Sequence, residues 1–281
     1  MNIGIVTDST SDISAEEAET LNITVVPAIV VINGVEYLDG KGFSREDYYS
    51  QLPTISPPPT TAAPSSGMFA ETYQKLLASG VEKILSIHVA SKLSGIVNAA
   101  QVAAKTFGDR VQVIDSGQLS LGLGFQVLAA AQTALQENLE QIHATLNSIR
   151  SRIQVVAMLD TLEQLKRSGR VSWVRSSLGT LMRIKLFLEV KDSQIHRLGE
   201  TRTRTKGLQR LTEMIDSIGP LEQLAIVHTN ALDDATQMAE RFSSKVSTAP
   251  LIRNVTTVIG THVGVNAIGF VSIKAKTPGY D

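Results

Sequence analysis

Cysteine is absent from the 281-residue chain, which excludes disulfide bonds, thiol catalysis and cysteine-ligated metal sites. The five histidines, at positions 88, 143, 196, 228 and 262, are scattered and form no His-x-His or His-Glu-x-x-His pair. The Walker A, Gly-x-Gly-x-x-Gly and Gly-x-Ser-x-Gly motifs are missing as well. We therefore expect neither a metal centre nor a cofactor.

Aromatic residues and net charge are also scarce. Only 5% of the residues are aromatic, which disfavours a stacking surface for single-stranded nucleic acid, and the formal net charge is -1. The chain opens on the strand-like NIGIVT without a basic-then-apolar leader. The uncharged stretch of residues 116–136 contains glycine, serine and glutamine and is predicted to be a loop and a buried helix. We expect a cytoplasmic protein that binds no nucleic acid and has no stable membrane insertion.

The first half of the chain alternates strand-like and helix-like runs. Strands are predicted at NIGIVT, at residues 82–88 and at RVQVIDS, and helices follow at SAEEAETL, near residues 95–107 and at residues 122–136. This alternation predicts an α/β domain over residues 1–150, in which a mostly parallel sheet carries helices on both faces.

Two segments of this half stand outside the alternation. The runs ITVVPAIVVI and VEYL flank Asn33-Gly34, which is a strong signal for a β-hairpin. The segment PTISPPPTTAAPSS, residues 53–66, contains five prolines and is predicted to be a stiff loop without regular structure.

The second half has a different pattern. Strands are predicted at IQVVAML, EQLAIVHT, LIRNVTTVIG and AIGFVSIK, and RIKLFLEV and IHRL are predicted to form a hairpin. Helices are predicted at DTLEQLKRSG, TKGLQRLTEMIDSIG and LDDATQMAERFSSKV. Hairpins mixed with helices predict a second, α+β domain over residues 151–281 with a mixed or antiparallel sheet.

Small polar residues follow three predicted strands, at residues 7–9, 91–95 and 115–117. Ligands of parallel sheets collect at the carboxyl ends of the strands, so these turns predict one polar crevice. Asp8 and Asp12 of TDSTSD are expected to cap the turn and the following helix rather than to act in phosphoryl transfer.

Ser94 lies in the second of these turns, and two functions are open to it. As a nucleophile it needs a base, for which His88, predicted to be buried, and His262, in the glycine-rich VIGTHVGVNAIG, are the candidates. No acid is clearly placed to orient the histidine, as a triad requires. The other interpretation is an anion receptor. Its members would be Thr60, Thr61, Ser94, Thr261 and His262.

The charged residues are unevenly distributed. Residues 166–210 contain twelve Lys and Arg and three acidic residues, a local balance of +9. Such a stretch is either a solvated basic face or a surface for phosphate, an acidic partner or nucleic acid.

Taken together, eight motifs make the chain resemble the DegV family of bacterial fatty-acid-binding proteins, and they span nearly its whole length. In order they are VTDSTSDIS, PTTAAPSSGMF, SKLSGIVNAAQ, VIDSGQLSLGLG, LEQLKRSGRVS, IKLFLEVKDSQI, TRTRTKGLQRL and IGTHVGVNAIG. The resemblance implies two domains with a long-chain fatty acid held at their interface, its tail buried and its carboxylate hydrogen-bonded.

Carried over by position, the resemblance assigns the fatty acid carboxylate to Thr61, Ser94 and His262. It also implies that the protein does no chemistry itself and presents the acid to a separate fatty acid kinase subunit, which makes an acyl phosphate. Arg170, Arg202 and Arg204 are the corresponding candidates for phosphate or partner docking. The alternative function is a serine-dependent hydrolase or acyltransferase that uses Ser94 and His262.

The chain departs from the family pattern at two places. Ala62 and Ala63 replace polar residues that often follow the family's threonine, which puts the wider hydrogen-bond network near Thr61 in question. Leu186 and Phe187 replace a common Pro-Ile pair, and we expect this change to alter the pocket shape and the chain preference.

Overall fold

A computed structural model describes residues 2–136, 138–170 and 184–276. Contacts within the chain divide it into two compact units. The first comprises Met1–Gly42, Pro59–Ser151 and Asp192–Gln194, and the second comprises Phe43–Pro58, Arg152–Lys191 and Ile195–Asp281. Residues 43–58, which the sequence analysis placed in a continuous domain 1–150, therefore group with the second unit, since their tyrosines contact the segment around residue 255.

The main sheet of the first unit has four parallel strands in the order β2-β1-β6-β7. The strands are β1 (Ile3–Asp8), β2 (Ile23–Val26), β6 (Lys83–His88) and β7 (Val111–Asp115). The helices of this unit are α1 (Ala15–Thr20), α3 (Ser66–Ala78), α4 (Ile96–Ala104), α5 (Leu121–Ala134) and α6 (Leu139–Arg150). The α/β architecture with a parallel sheet predicted for this half is confirmed.

Local sequence signals explain where α1 begins. The Ser14 hydroxyl accepts a hydrogen bond from the Glu17 amide at 3.1 Å, and the Glu17 carboxylate accepts one from the Ser14 amide at 2.7 Å. This is the capping box that the spacing predicted, and it satisfies two amides that would otherwise lack partners at the helix start.

A small antiparallel sheet, in the order β4-β3-β5, completes the first unit. Strands β3 (Ile29–Ile32) and β4 (Val35–Leu38) form the hairpin predicted around Asn33-Gly34, whose φ angles are 52° and 80°.

Two predictions near this sheet were wrong. ITVVPAIVVI is not one strand: it breaks at Pro27, so that β2 joins the parallel sheet and β3 the small one. The proline-rich segment is not irregular throughout, because β5 (Thr60–Ala62) pairs with β3 and α3 begins at Ser66. Residues 60–62 contain no proline, so their amides remain available for the ladder.

The second unit is built on a six-stranded mixed sheet in the order β10-β9-β8-β13-β11-β12. The strands are β8 (Ile153–Leu159), β9 (Lys185–Lys191), β10 (Gln194–Thr201), β11 (Leu221–His228), β12 (Leu251–Asn254) and β13 (Ile268–Lys274). The helices are α2 (Arg45–Gln51), α7 (Glu163–Ser168), α8 (Arg204–Ser217), α9 (Leu232–Phe242) and α10 (Thr257–Val263). Strand β11 pairs with β12 in parallel, whereas the pairs β11/β13, β13/β8 and β8/β9 are antiparallel, as expected of an α+β unit.

Both faces of this sheet are buried. One core cluster contains Phe187 together with Phe242 and Phe270, and the other is a group of leucines that includes Leu186. Leu186 and Phe187 are neighbours on β9, so their side chains point to opposite faces and fill different cores. These two departures from the family pattern are therefore core residues of the second unit.

The segment LIRNVTTVIG is not a single strand, as predicted. Strand β12 ends at Asn254, and α10 begins after Thr256, whose hydroxyl accepts a hydrogen bond from the Ile259 amide at 3.4 Å. The β-branched residues 255–258 favour a strand, but the threonine cap and the packing of Gly260 select a helix. His262 therefore lies on a short helix and not in a glycine-rich loop between strands.

Within residues 2–136, 138–170 and 184–276, no helix has the length and hydropathy required to cross a lipid bilayer.

Candidate functional site

Asp8 occupies the carboxyl end of the central strand β1 and organises the turns around it. Its carboxylate accepts hydrogen bonds from the amides of Thr10 and Val89, at 3.0 and 3.1 Å, and from Nδ1 of His88 at 3.0 Å. Asp12 likewise accepts a hydrogen bond, at 2.5 Å, from the Ser120 hydroxyl. Asp8 thus caps its turn, as predicted. The following helix is capped by Ser14 and not by Asp12, because Ser14 precedes the first helical residue and forms the capping box with Glu17.

A buried chain of side chains extends from Asp8 into the core. Nδ1 of His88 donates to this carboxylate, Nε2 lies 2.6 Å from the Ser86 hydroxyl, and the Ser86 hydroxyl lies 2.7 Å from the Tyr73 hydroxyl. Burial raises the pKa of Tyr73 to about 12, so its hydroxyl stays protonated.

The order serine, histidine and aspartate is that of a catalytic triad, but Ser86, His88 and Asp8 are each 0% exposed. A nucleophile that is fully buried cannot contact a substrate. We therefore infer that the hydrogen-bonded side chains of Asp8, His88 and Ser86 stabilise the sheet. The predicted burial of His88 is confirmed. Its pairing with Asp8 was missed, although the parallel register that sets Thr7 opposite Ile87 brings the next residue of each strand together.

Asp115 connects the turns that follow β6 and β7. Its carboxylate accepts hydrogen bonds from the amides of Gly117 and Ser91, at 2.8 and 3.1 Å. The Ala90 amide donates to the Gln118 carbonyl at 2.8 Å, which joins the same two turns a second time. The three polar turns predicted to converge therefore do so at one edge of the sheet.

Ser94 lies in the turn that leads into α4. Its amide donates to the Ala90 carbonyl at 3.2 Å, and its half-buried hydroxyl accepts a long hydrogen bond, 3.4 Å, from the Ile96 amide. The hydroxyl hydrogen is thus left for an acceptor outside the turn. Gly95 gives α4 no side-chain cap, so the positive end of the helix dipole lies beside this hydroxyl. The surroundings of Ser94 suit an anion.

Thr61 occupies the middle of β5, opposite Val30 of β3. Its side chain is partly buried, whereas Thr60 and Ala62 on either side are exposed. The departure at Ala62 therefore changes the solvent face of this strand.

His262 is half-buried on α10. Burial of the imidazole and the positive charge of Arg170 lower the pKa of His262 to about 4. Near pH 7 the ring is neutral and carries one N–H donor. An anion bound beside the ring would raise this pKa and so oppose the effects of burial and of Arg170.

The three arginines predicted to dock phosphate or a partner differ in their surroundings. The Arg204 guanidinium donates to Asp234 at 2.6 Å, to the Asn266 carbonyl at 2.7 Å and to Asp160 at 3.4 Å. These contacts give Arg204 a structural role at the start of α8. Arg170 and Arg202 are exposed. Residues 171–183 of the basic stretch lie outside the described residues.

Among the residues that the structure describes, no group of three or more His, Asp or Glu side chains is arranged to hold a metal ion.

Comparison with known proteins places these features in one family. The sequence profile of the DegV family of uncharacterised proteins matches residues 2–275. The chain belongs to the DegV family. A DegV domain-containing protein of Listeria innocua serovar 6a is 35% identical over 273 residues, which cover 96% of this chain and 98% of that relative.

Solved DegV structures match over the same length. A fatty-acid-binding DegV family protein from Thermus thermophilus is 30% identical, with a TM-score of 0.90 and coverage of 98% of this chain and all of the other. DegV from Bacillus subtilis, described as a fatty acid binding protein, is 29% identical, with a TM-score of 0.86 and the same coverage. The DegV-like fold implied by the sequence motifs is confirmed.

Proposed function

We propose that this DegV protein binds a long-chain fatty acid and that Thr61, Ser94 and His262 donate hydrogen bonds to its carboxylate. The observation that carries the proposal is the full-length match, at 30% identity, to a DegV protein that binds fatty acid. The Ser94 hydroxyl at the start of α4 supports it, because it accepts a hydrogen bond from the Ile96 amide and can donate its own hydrogen to an oxygen acceptor. The neutral imidazole of His262 carries one N–H group, which is the kind of donor that a carboxylate requires.

The energetics of such a ligand favour this kind of site. Burying a sixteen-carbon tail contributes about 0.8 kcal/mol per methylene, or roughly 12 kcal/mol before the entropy cost of binding. Removing the carboxylate from water costs several kcal/mol unless donors replace the lost hydration. Two hydroxyls and an imidazole offset that cost without adding a fixed charge to the site.

The second part of the proposal concerns what happens to the bound acid. The protein acts in the cytoplasm as a non-catalytic carrier, without a cofactor, and presents the fatty acid to a separate fatty acid kinase that forms the acyl phosphate. Exposed Arg170 and Arg202 are suited to dock the kinase or the phosphate, while Arg204 holds the adjoining helix through Asp160 and Asp234.

Binding is tested by extracting the purified protein with organic solvent and identifying acyl chains by mass spectrometry, followed by calorimetric titration of delipidated protein with palmitate. We expect a bound acyl chain and saturable uptake of palmitate. Ser94→Ala and Thr61→Ala should each weaken binding about three- to tenfold, the effect of one lost hydrogen bond. Ser79→Ala, an exposed serine that closes α3, is the matched control.

The absence of both a bound chain and palmitate uptake would refute the proposal. If both variants bind like the wild type, the assignment of Thr61 and Ser94 fails while fatty acid binding stands. A fluorophosphonate adduct that disappears in Ser94→Ala would instead identify a serine hydrolase.

A further inference from the structure

The helix that carries His262 is too short to hold its own orientation. Helix α10 has seven residues, from Thr257 to Val263, and helices of this length are unstable in isolation. One side of it is fixed by Val263, which packs against the leucine cluster of the second unit. Further contacts come from a segment that is distant in the sequence.

Helix α2, in the segment 43–58, supplies these contacts. The Tyr49 hydroxyl lies 2.9 Å from the carbonyl oxygens of both Val255 and Thr256, just before α10 begins. A Cβ atom at Gly260 would lie 2.1 Å from Cε1 of Tyr49, so the ring occupies the space that any other residue at 260 would need. Arg45 donates a hydrogen bond to the Asn254 carbonyl.

Tyr48 contacts Thr261, the residue that precedes His262 on the helix. Its hydroxyl is 2.5 Å from the hydroxyl of Thr261, and both side chains are buried. Thr261 donates its only hydroxyl hydrogen to the Thr257 carbonyl at 2.7 Å. The hydrogen between the two hydroxyls must therefore come from Tyr48, which makes Tyr48 the donor and Thr261 the acceptor.

We propose that Tyr48 is a positioning residue that sets the direction of the His262 imidazole through its hydrogen bond to Thr261. The inference rests on the proposed function, because it concerns the donor assigned to the fatty acid carboxylate. The Thr261 hydroxyl accepts a hydrogen bond from Tyr48 and donates one to the Thr257 carbonyl, so it fixes the last turn of α10. A hydrogen bond weakens steeply as its angle departs from linear, so a small rotation of this turn costs affinity.

The stacking of Tyr48 on Phe43, with ring centroids 5.5 Å apart, keeps the phenol in place when only its hydroxyl is removed. Tyr48→Phe therefore removes the hydroxyl and leaves the ring packing in place, and Thr261→Val removes the other partner of the same hydrogen bond. Tyr73→Phe is the matched control, because Tyr73 is equally buried and its hydroxyl is also hydrogen-bonded to a hydroxyl, that of Ser86 on β6.

The test is a double-mutant cycle with palmitate. Delipidated wild type, Tyr48→Phe, Thr261→Val and Tyr73→Phe are titrated by calorimetry, and the first two substitutions are repeated in the His262→Ala background. We expect Tyr48→Phe and Thr261→Val to weaken binding about three- to tenfold. In His262→Ala the same substitutions should change affinity less than about twofold, because the group they position is gone.

Equal losses in both backgrounds would overturn the inference, as would a Tyr48→Phe effect no larger than that of Tyr73→Phe. A ligand-free readout separates this inference from the proposed function. The imidazole ¹⁵N signals of His262, assigned by their loss in His262→Ala, should move in Tyr48→Phe and stay in Tyr73→Phe. Unchanged signals refute the positioning role even if palmitate binds, and a protein that binds no palmitate refutes the proposed function whatever the signals do.

Discussion

The turn that carries Ser94 and the helix that carries His262 are held in place by different means. The Ser94 turn is fixed mainly by main-chain amides, which donate to the Ala90 carbonyl and to the carboxylate of Asp115, 24 residues away from Ser91. The His262 helix is fixed by buried tyrosines from α2, and Tyr48 is separated from Thr261 by 213 residues. One site is a hydrogen-bonded turn, and the other is a helix held by distant aromatic packing.

The difference has a consequence for tolerance to change. A turn held by backbone amides accepts many side chains, since its bonds do not depend on their shape. A helix packed on an aromatic ring depends on the volume of each residue at the contact, because protein interiors are close-packed. We therefore expect the same substitution to destabilise the His262 helix much more than the Ser94 turn.

The largest effect is expected from Gly260→Ala, which changes the packing of the His262 helix on Tyr49. The added methyl group would overlap the buried Tyr49 ring, so the ring or one of the two helices must shift. Overpacking of this kind costs about 3 kcal/mol in the free energy of unfolding, measured by urea denaturation. A Gly260→Ala/Tyr49→Ala double variant should be less unstable than the sum of its single changes. Strict additivity would mean that the ring is not the obstacle.

Acidification should destabilise the His262 region next most strongly. The pKa of His262 is lowered from 6.5 to about 4 by burial and by Arg170. Between these values the unfolded chain binds a proton that the folded chain does not, so the free energy of unfolding decreases as the pH falls. The full shift corresponds to about 3 kcal/mol at pH 4.

Subtracting the unfolding curve of His262→Gln isolates this contribution from those of other groups. Above pH 7 the difference between wild type and variant should be independent of pH, and below pH 6.5 the wild type should lose stability faster. Parallel curves over the whole range would show that the folded protein does not hold the imidazole neutral. Bound palmitate should raise the pKa of His262, since a neighbouring carboxylate favours the imidazolium.

Asp115→Ala tests the turn that carries Ser94 and should lower the free energy of unfolding by a smaller amount. The amides of Ser91 and Gly117 lose a charged acceptor, which costs about 2 kcal/mol in urea denaturation. Asp115→Asn keeps one carbonyl oxygen and should cost about half as much. Palmitate affinity should fall about threefold in Asp115→Ala, because the turn that presents Ser94 loosens. An unchanged urea midpoint would show that the backbone bonds to Ala90 and Gln118 suffice.

The two regions also differ in how far their structure follows from the sequence. The Ser94 turn was predictable because a strand, a small polar turn and a helix follow each other along the chain, and each leaves a local signal in SIHVASKLSGIVNAA. The same holds for the capping box at Ser14 and the hairpin at Asn33-Gly34, where two or three neighbouring residues determine the geometry. Such features depend on local conformational preferences.

The His262 helix was not predictable in this way. Its β-branched residues favour a strand, and the tyrosine ring that requires Gly260 lies in a segment that sequence analysis assigned to the other domain. The Asp8–His88 pair was missed for the same reason, since their proximity depends on the register of two strands 80 residues apart. Long-range packing overrides local propensity at these positions.

The smallest effect on stability is expected from Gly95→Ala, the counterpart of Gly260→Ala in the Ser94 turn. Apart from the two chain neighbours, no atom of the described residues lies within 4 Å of a Cβ placed at Gly95, and its φ of −75° suits any residue. Alanine caps a helix slightly less well than glycine, but it also restricts the unfolded chain, so the two effects nearly cancel at about 0.5 kcal/mol or less. The free energies of unfolding of Gly95→Ala and Gly260→Ala are compared by urea denaturation under the same conditions. If Gly95→Ala destabilises as much as Gly260→Ala, the turn depends on side-chain volume as strictly as the helix does, and the contrast between the two regions is wrong.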